Sequence, residues 1–345
     1  MHLLHNNGRS VFTLGASPRT TEPGRVSGML HSAAWSKRAS LLRVSLVAAA
    51  ALLVALLLAL VGTGKPAGAA FPGQNGRIAY VVPGSYPADD EIYSMKPDGT
   101  DRKQLTYNTA NDYAPDISPD GTEVAFVSLR SGVNKVYVMN ADGTEVKNLS
   151  GSFTGDETPT WSPDGKKIAF VRRADIWVMN ADGSGRKNVT NTGPVNGYSV
   201  SEEGPSWSPD GTKVAFYKTT CRPCDVDLYT INAGGTGLKQ LTDYASKEYT
   251  PDWSPSGHRI AFYSYSTVAG MRIFTIRPDG TSNRIIASNG ETPVWSPDGK
   301  GIAFTREGDL YKVISDGSGA PSKIAGPAES REWTPNWGPM PPTAG

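Results

Sequence analysis

Histidine is scarce in this chain, and its placement narrows the chemistry that the protein can perform. Of four histidines, His2, His5 and His31 fall near the N-terminus and only His258 lies in the body of the chain. A Ser-His-Asp triad would have to use this single residue, which sits in a predicted turn. No Gly-x-Ser-x-Gly motif is present. The sequence therefore argues against a histidine-dependent hydrolase.

Cysteine is equally rare, with only Cys221 and Cys224 in a Cys-Arg-Pro-Cys segment. A structural zinc site needs four ligands, more than two cysteines and one histidine supply. Redox Cys-x-x-Cys motifs usually open a helix in a βαβ unit, and no such unit is indicated here. In an oxidising compartment we expect a small loop-closing disulfide between the two residues, with free thiols as the less favoured alternative.

An excess of basic charge is also missing. The whole chain has 34 Lys and Arg and 33 Asp and Glu. Removal of residues 1–70 would take away seven basic residues and one acidic residue, leaving 27 and 32 and a net charge of −5. Binding of nucleic-acid phosphates needs a basic surface. We therefore expect no nucleic-acid partner.

One long hydrophobic run stands near the N-terminus. Residues 44–61 carry no charge, follow Lys37, Arg38 and Arg43, and precede the small residues 67–70. This order is typical of a secretory signal peptide. The run is also long enough to span a bilayer, so an uncleaved anchor is the alternative. With the positive charge ahead of the run, either case predicts a body outside the cytoplasm: periplasmic, secreted or anchored to the outer face of the cytoplasmic membrane.

These features divide the chain into four parts. Residues 1–36 are expected to be disordered or wrongly included, because a start at Met29 would give a short basic region before the run. Residues 37–70 are the signal peptide or anchor, and the only expected contact with a membrane. Residues 71–340 form the repeat domain, and residues 341–345 are a tail.

Glycine and proline are abundant, and they recur with a period. Ser-Pro-Asp-Gly occurs at 118–121, 162–165, 208–211 and 296–299, with the variant Ser-Pro-Ser-Gly at 254–257. The spacing of 42 to 46 residues is typical of propeller blades. Proline at the second position and Asp at the third favour a type I turn between two strands.

Alternating strands surround each turn. A Pro-x-Trp strand precedes it, and a strand such as Ile168-Ala169-Phe170 follows with the period of two expected for a sheet. In each repeat a third strand follows, and an Asp-Gly turn joins it to a short fourth strand that contains Lys. The repeated tryptophans are interpreted as core rather than as a ligand-stacking surface. They are Trp161, Trp207, Trp253, Trp295 and Trp337.

The two ends of the repeat region complement each other. The segment from Arg77 to Thr106 supplies the second, third and fourth strands of a blade but no first strand, and the C-terminal Pro335-Asn336-Trp337 supplies a first strand alone. Joining them removes two open sheet edges. The sequence therefore predicts an all-β fold, a six-bladed β-propeller whose closing blade is shared between the N- and C-termini.

The repeat resembles that of the TolB family. The consensus Pro-x-Trp-Ser-Pro-Asp-Gly, x-x-Ile-Ala-Phe, Ile-Tyr-Val-Met-Asn-Ala-Asp-Gly and Leu-Thr extends over residues 71–337. The resemblance implies a periplasmic propeller of the kind that binds the peptidoglycan-associated lipoprotein in the Tol–Pal system. The same repeat is similar to the propellers that precede prolyl-peptidase catalytic domains. We expect neither the α/β domain of TolB nor a hydrolase domain in this chain.

Acidic residues recur two or three positions ahead of the repeated proline. They are Asp112, Glu157, Glu203, Glu248, Glu291 and Glu332. One per blade predicts a ring of carboxylates at one mouth of the channel, which would attract Ca²⁺ or a basic partner loop. The alternative is that each carboxylate only holds its loop through backbone hydrogen bonds or ion pairs.

We therefore expect a monomeric, non-catalytic scaffold that binds an envelope protein or a cell-wall glycan. The alternative is a metal-dependent propeller enzyme of the lactonase or sugar-processing kind, which would hold its metal in an asymmetric set of side chains within the channel.

Overall fold

The computed structural model describes residues 73–84, 89–193, 200–221, 224–324 and 333–341. The chain divides into two compact units, residues 1–64 and 65–345, and all described residues belong to the second. The predicted N-terminal region, the signal peptide or anchor, and residues 342–345 of the tail lie outside the described residues. Within the described ranges all regular structure is β-strand, and no helix long and apolar enough to cross a membrane occurs there.

The described residues form 24 strands. In chain order they are β1 (Asn75–Val82), β2 (Glu91–Met95), β3 (Lys103–Gln104), β4 (Asp112–Ile117), β5 (Glu123–Ser128), β6 (Lys135–Asn140), β7 (Lys147–Asn148), β8 (Asp156–Trp161), β9 (Lys167–Arg172), β10 (Asp175–Asn180), β11 (Lys187–Asn188), β12 (Val200–Trp207), β13 (Lys213–Cys221), β14 (Cys224–Asn232), β15 (Lys239–Gln240), β16 (Lys247–Trp253), β17 (Ile260–Ser266), β18 (Gly270–Ile276), β19 (Arg284–Ser288), β20 (Glu291–Trp295), β21 (Gly301–Arg306), β22 (Asp309–Ile314), β23 (Ser322–Lys323) and β24 (Trp333–Pro339).

The strands group into six antiparallel sheets of four, each a propeller blade with its first strand innermost. Blade 1 is β4 to β7, blade 2 is β8 to β11, blade 3 is β12 to β15, blade 4 is β16 to β19 and blade 5 is β20 to β23. Blade 6 has the order β24-β1-β2-β3. In it, Ile78 pairs with Trp337 and Ala79 with Asn336. The predicted six-bladed propeller with a shared closing blade is confirmed.

The core lies between neighbouring blades. Trp161, Ile168 and Phe170 of blade 2 pack against Val138 and Leu149 of blade 1 in one buried cluster. Equivalent clusters recur around the ring. The five repeated tryptophans are only 3–8% exposed. Each such side chain contributes about 1.5–3 kcal/mol on burial, so the repeat motif stabilises the joints between blades.

The Ser-Pro-Asp-Gly turns close the first hairpin of blades 1, 2, 3 and 5 at one face of the propeller. The Ser118 hydroxyl donates to Asp120 Oδ1 at 2.6 Å, and the Thr122 N–H donates to the same oxygen at 3.0 Å. Gly121 has φ of 72°, which a residue with a side chain adopts only with strain. The repeated aspartate therefore serves the turn, and the opposite face of the propeller carries the less regular loops.

Candidate functional site: the channel and its rim

Each inner strand carries a backbone irregularity directly before its proline. The residue there has a φ between 42° and 60° in all six blades. These residues are Ala114, Thr158, Gly204, Thr250, Thr292 and Thr334. The register with the second strand breaks at the same place, for example between Glu157 and Thr160, which defines a β-bulge. A threonine in this region costs on the order of 1–3 kcal/mol, and such strain concentrates at functional sites.

The bulges line the central channel. Together with the prolines and the residues that follow them, they surround a cavity of about 160 Å³, with three consecutive residues from each of the six inner strands. The space is large enough for several water molecules or the tip of a ligand. The repeat therefore forms a channel with a narrow, partly polar centre.

A chain of hydrogen bonds joins neighbouring blades around this cavity. The residue between the proline and the large apolar residue accepts a backbone N–H from an adjacent inner strand in four cases. Asp116 accepts from Trp161 at 2.6 Å, Ser206 from Trp253 at 3.1 Å, Asp252 from Trp295 at 2.7 Å and Asn336 from Ile117 at 2.9 Å. These backbone N–H groups are buried and would otherwise have no acceptor. The bonds therefore stabilise the channel wall.

Two of the acceptors are carboxyl groups in the channel. Burial, with a smaller contribution from the charge of Asp252, raises the pKa of Asp116 to about 7. Burial also raises the pKa of Asp252 to about 7. At neutral pH this pair is therefore partly protonated, and a cation or a basic side chain in the channel would favour its ionised form.

Buried carboxyl groups also stand three residues before the repeated proline. We call Asp112, Asp156, Glu202 and Glu248 the joint carboxyls, because each is fully buried where one blade meets the next. Three of them have a cation within 4 Å. Arg130 contacts Asp112 at 2.8 Å, Arg172 contacts Asp156 at 2.5 Å and Lys218 contacts Glu202 at 3.6 Å.

The residues two before the proline lie at the channel mouth. We call Tyr113, Glu157, Glu203, Tyr249 and Glu291 the rim; all five are half-buried. Neighbouring members act on each other electrostatically. Burial, with the Glu157 charge next, raises the pKa of Tyr113 to about 12. Among the described residues the rim thus combines three carboxylates with two phenol rings.

Further tyrosines support the rim from the second strands. The Tyr217 hydroxyl donates to Glu203 Oε2 at 2.6 Å. The Tyr249 ring lies 5.3 Å from Tyr217 and 5.0 Å from Tyr263, measured between ring centroids. Burial, with the Glu291 charge next, raises the pKa of Tyr263 to about 12. These contacts hold the rim side chains in defined positions and leave aromatic faces beside carboxylates.

Exposed aromatic and apolar side chains also lie in loops on the face that carries the rim. Three stand in the connections that enter the inner strands: Tyr107 is 75% exposed, Phe153 49% and Tyr244 38%. Two more belong to the β17–β18 hairpin: Tyr265 in β17 and Val268 in the turn. Exposed apolar groups near a polar centre are typical of a binding surface.

The six acidic residues predicted from the sequence divide between these two levels. Asp112 and Glu248 are joint carboxyls, whereas Glu157, Glu203 and Glu291 belong to the rim. Glu332 lies outside the described residues. The spacing of two or three residues before the proline decides the level, because successive side chains of a strand point to opposite faces. Sequence reasoning did not single out Asp156, Glu202, Asp116 or Asp252.

The remaining predicted residues lie elsewhere. Cys224 is disulfide-bonded, and its backbone pairs with that of Cys221 at the end of the β13–β14 hairpin. The side chain of Cys221 lies outside the described residues, so the partner stays a prediction. His258 is exposed in the turn between β16 and β17, at the face opposite the rim.

Comparison with known proteins places the chain in a family. A family model described as TolB beta propeller domain matches residues 64–219 and 158–339. A protein from Chlorobium luteolum named Protein TolB homolog is 43% identical over 58 residues, which span 17% of this chain and 13% of that protein. This match thus covers a small part of the relative's length.

Solved structures share the fold. TolB from Acinetobacter baumannii superposes with a TM-score of 0.64 at 24% identity, covering 79% of this chain and 68% of that one. An oligogalacturonate lyase in complex with manganese gives a TM-score of 0.50 at 14% identity, covering 73% and 74%. At these identities the likeness concerns the fold alone, and a fold shared by such different proteins does not decide a function.

Proposed function

The chain belongs to the family of TolB beta propeller domains, and on that premise we propose that it is an exported, non-catalytic scaffold that binds an envelope protein or a cell-wall glycan at its loop face. The observation that carries the proposal is the rim, where Glu157, Glu203 and Glu291 stand beside phenol rings at the mouth of a channel. Aromatic side chains with one polar end are favoured at interfaces.

The charge of the rim favours a basic ligand group. The proposed mature body, residues 71–345, carries a net charge of −5. Carboxylates at a mouth raise the local concentration of cations and steer basic segments toward it. Tyrosine faces next to them offer cation–π contacts to Lys or Arg and stacking surfaces to sugar rings. A basic protein segment therefore matches the rim by charge and by cation–π contacts, and a glycan matches it by stacking of sugar rings on the tyrosines.

The scaffold interpretation also agrees with how the channel carboxyls are used. Asp116 and Asp252 each accept a backbone N–H from a neighbouring blade, so their first task is structural. We further propose that residues 37–70 direct export, as signal peptide or anchor, and that residues 71–340 act as one binding domain. The exported location would bring the rim into contact with envelope components.

The test is capture of ligands from the native cell envelope by the full-length chain. A rim variant, Glu157→Gln/Glu291→Gln, is compared with Glu123→Gln/Glu145→Gln, which removes the same charge at the opposite face. We expect a partner that is recovered by the parent and the control and lost with the rim variant. A sedimentation assay with purified peptidoglycan, run with the same three proteins, separates a glycan ligand from a protein ligand.

Two results would contradict the proposal. Equal recovery by the rim variant and the parent would show that the rim does not bind the ligand. Failure of the parent to retain any envelope protein or peptidoglycan would remove the scaffold function itself. Circular dichroism of each variant, matched to the parent, confirms that a loss of binding is not a loss of fold.

A further inference from the structure

The turn between β18 and β19 in blade 4 repeats the turn between β2 and β3 in blade 6, with one acid missing. Residues 96–103 read Lys-Pro-Asp-Gly-Thr-Asp-Arg-Lys, and residues 277–284 read Arg-Pro-Asp-Gly-Thr-Ser-Asn-Arg. Ser282 therefore stands where blade 6 has Asp101. Their φ angles are 56° and 51°, so the backbone turns in the same way at both positions.

In blade 6 this acid is held by basic residues. Arg77 Nη1 donates to Asp101 Oδ2 at 2.7 Å, and Arg77 Nη2 donates to the Ser94 carbonyl oxygen at 3.1 Å. The hydrogen bond from Arg77, and then the charges of Arg77, Lys103 and Lys96, lower the pKa of Asp101. One carboxylate thus stands among three cations.

Blade 4 has the three cations without the carboxylate. Arg259 takes the place of Arg77, and its Nη1 donates to the carbonyl oxygens of Thr275 at 3.3 Å and Ser282 at 3.0 Å. Arg277 and Arg284 stand where blade 6 has its two lysines. Partial burial, with the charges of Arg284 and Arg277 next, lowers the pKa of Arg259. We call Arg259, Arg277 and Arg284 the arginine cluster; among the described residues none of them has a carboxylate oxygen within 4 Å.

The acids near the arginine cluster serve their own turns. Asp279 Oδ1 accepts a threonine hydroxyl of its turn at 2.6 Å, as Asp98 does in blade 6. Asp316 of blade 5 accepts a backbone N–H of its own turn at 2.7 Å. Hydrogen bonds within the turn, and then the charges of Arg277 and Arg284, lower the pKa values of these two aspartates. They compensate part of the positive charge, but neither takes the place of the missing acid.

A neighbouring turn of blade 4 lacks an acid as well. The turns of blades 1, 2, 3 and 5 have Asp at the third position, where blade 4 has Ser256. A cavity of about 590 Å³ lies beside Ser256 and the β18–β19 turn. Its charged and titratable side chains are Lys213, Lys239, His258, Asp210 and Asp279. The cavity therefore adds no net negative charge beside the arginine cluster.

We propose that the arginine cluster binds a phosphate group at the place that the Asp101 carboxylate occupies in blade 6. Guanidinium groups bind the oxygens of carboxylates and phosphates in pairs. Three of them offer more charge and more N–H donors than one carboxylate uses. A phosphate monoester matches them better, because it carries a charge of about −1.5 to −2 and three acceptor oxygens.

The inference does not rest on the proposed ligand of the rim. The arginine cluster lies in turns at the face opposite the rim, on a body with a net charge of −5. Variants of the cluster should leave binding at the rim unchanged, and the rim variant Glu157→Gln/Glu291→Gln should leave phosphate binding unchanged. Failure of one proposal is thus distinguishable from failure of the other.

The first test is titration of the full-length chain with inorganic pyrophosphate by isothermal calorimetry at constant ionic strength. We expect saturable binding at one site per chain. Arg277→Gln/Arg284→Gln should weaken it at least tenfold. The matched control is Lys96→Gln/Lys103→Gln, which makes the same charge change at the equivalent positions of blade 6, where Asp101 already fills the site; its affinity should stay within twofold of the parent.

A second variant supplies the missing acid from within. Ser282→Asp copies the arrangement of blade 6 at a residue that already has the required φ, so the fold should persist. With all three arginines intact, it should weaken pyrophosphate binding at least tenfold. Ser131→Asp adds the same charge in the exposed β5–β6 turn at the rim face and should stay within twofold of the parent.

Vesicle flotation separates two sources of the phosphate group. Stronger retention of the parent by phosphatidylcholine vesicles that contain phosphatidic acid than by vesicles without it, lost in Arg277→Gln/Arg284→Gln, would assign a lipid phosphate. Pyrophosphate binding without this difference would assign a soluble phosphate. Absence of both responses in the parent would overturn the proposal. So would unchanged affinity in Ser282→Asp, or equal losses in the arginine and lysine variants, which would reflect general charge attraction.

Discussion

Asp116 and Asp252 line the same channel cavity from inner strands that stand three blades apart in a ring of six. Each accepts a tryptophan backbone N–H from the next blade, and each has a pKa raised to about 7, chiefly by burial. The two residues therefore join two roles. They tie the blades together, and they make the centre of the channel sensitive to pH near neutrality.

The first prediction concerns that pH dependence. A carboxyl whose pKa is about 4 when unfolded and about 7 when folded binds its proton more tightly in the folded state, so stability falls as pH rises from about 4 to about 7. Asp252→Asn removes this effect, and its amide can still accept from Trp295 and donate to Ser206. From pH 5 to pH 8 we expect the free energy of unfolding of the variant, relative to that of the parent, to rise by more than about 1.4 kcal/mol, as measured by urea unfolding.

The control for this experiment is Asp182→Asn. The Ser184 hydroxyl and N–H lower the pKa of the exposed Asp182. Its contribution to stability is present above pH 4 and constant between pH 5 and pH 8, so this variant should run parallel to the parent. A constant offset for Asp252→Asn as well would show that Asp252 is ionised throughout the range.

A second prediction addresses closure of the ring. Asn336 in β24 accepts the Ile117 N–H at 2.9 Å and donates to Asp116 Oδ1 at 2.6 Å. Asn336→Ala removes both bonds and leaves a buried N–H without an acceptor, which should lower the free energy of unfolding by about 2–3 kcal/mol. Urea unfolding gives the loss, and faster hydrogen exchange of the Ile117 amide locates it.

The matched control is Val294→Ala at the same position of blade 5, where the side chain cannot accept a hydrogen bond. It should cost less than Asn336→Ala and leave exchange of the Ile117 amide unchanged. Equal losses for the two variants would mean that the bonds across the closing joint add nothing to stability.

A third prediction concerns the buried ion pair of blade 2. Arg172 Nε and an Nη atom donate to the two oxygens of Asp156 at 2.5 and 2.7 Å, and both side chains are buried. Arg172→Met should destabilise the protein by about 3–5 kcal/mol, because it leaves a buried carboxylate without a partner. Unfolding in urea measures the change.

Two variants check the cause of that loss. Arg172→Met/Asp156→Asn should recover part of it, since the uncompensated charge is gone. Arg306→Met should cost far less, because within the described residues Arg306 donates only to the carbonyl oxygens of Asn289 and Ser288. If the double variant were no more stable than Arg172→Met, packing rather than charge would explain the effect.

A fourth prediction tests the close packing of the terminal strand. A Cβ at Gly338 would lie 2.6 Å from Ile117 Cβ, inside the contact distance of two carbons. Gly338→Ala should therefore force β24 away from blade 1 and lower the melting temperature, at a cost of about 1–3 kcal/mol. Gly234→Ala, where a Cβ would meet no atom within 4 Å, serves as control. A loss no larger than that of the control would contradict the close approach.

The sequence could predict those parts of the candidate site that depend on residues within one repeat. The acids ahead of each proline were visible in the repeat, but Asp156 and Glu157 are adjacent, and nothing in the repeat says which one is buried at the joint. A shift of one residue moves a side chain to the other face of its strand. The bulge at Thr158 then changes the register again before the channel.

Asp116 and Asp252 had a sequence signal that was not used. Both occupy the place between the repeated proline and the large apolar residue, where the other blades have Thr160, Ser206, Val294 and Asn336. Comparing that single column across the six repeats shows a polar residue in five of them. The partner of each, a backbone N–H of a neighbouring blade, is a contact between distant segments that no local pattern specifies.

By itself the sequence determined the period, the turn chemistry, the alternation of the strands and the sharing of one blade between the two ends, because each follows from contacts within a single repeat or from a count of strands. Only the tertiary structure decided which carboxyls meet a cation and which do not. Asp112 and Asp156 meet an arginine on the neighbouring strand or in the turn that follows it, whereas Asp116 and Asp252 meet backbone N–H groups that only the packing of one blade on the next brings to them.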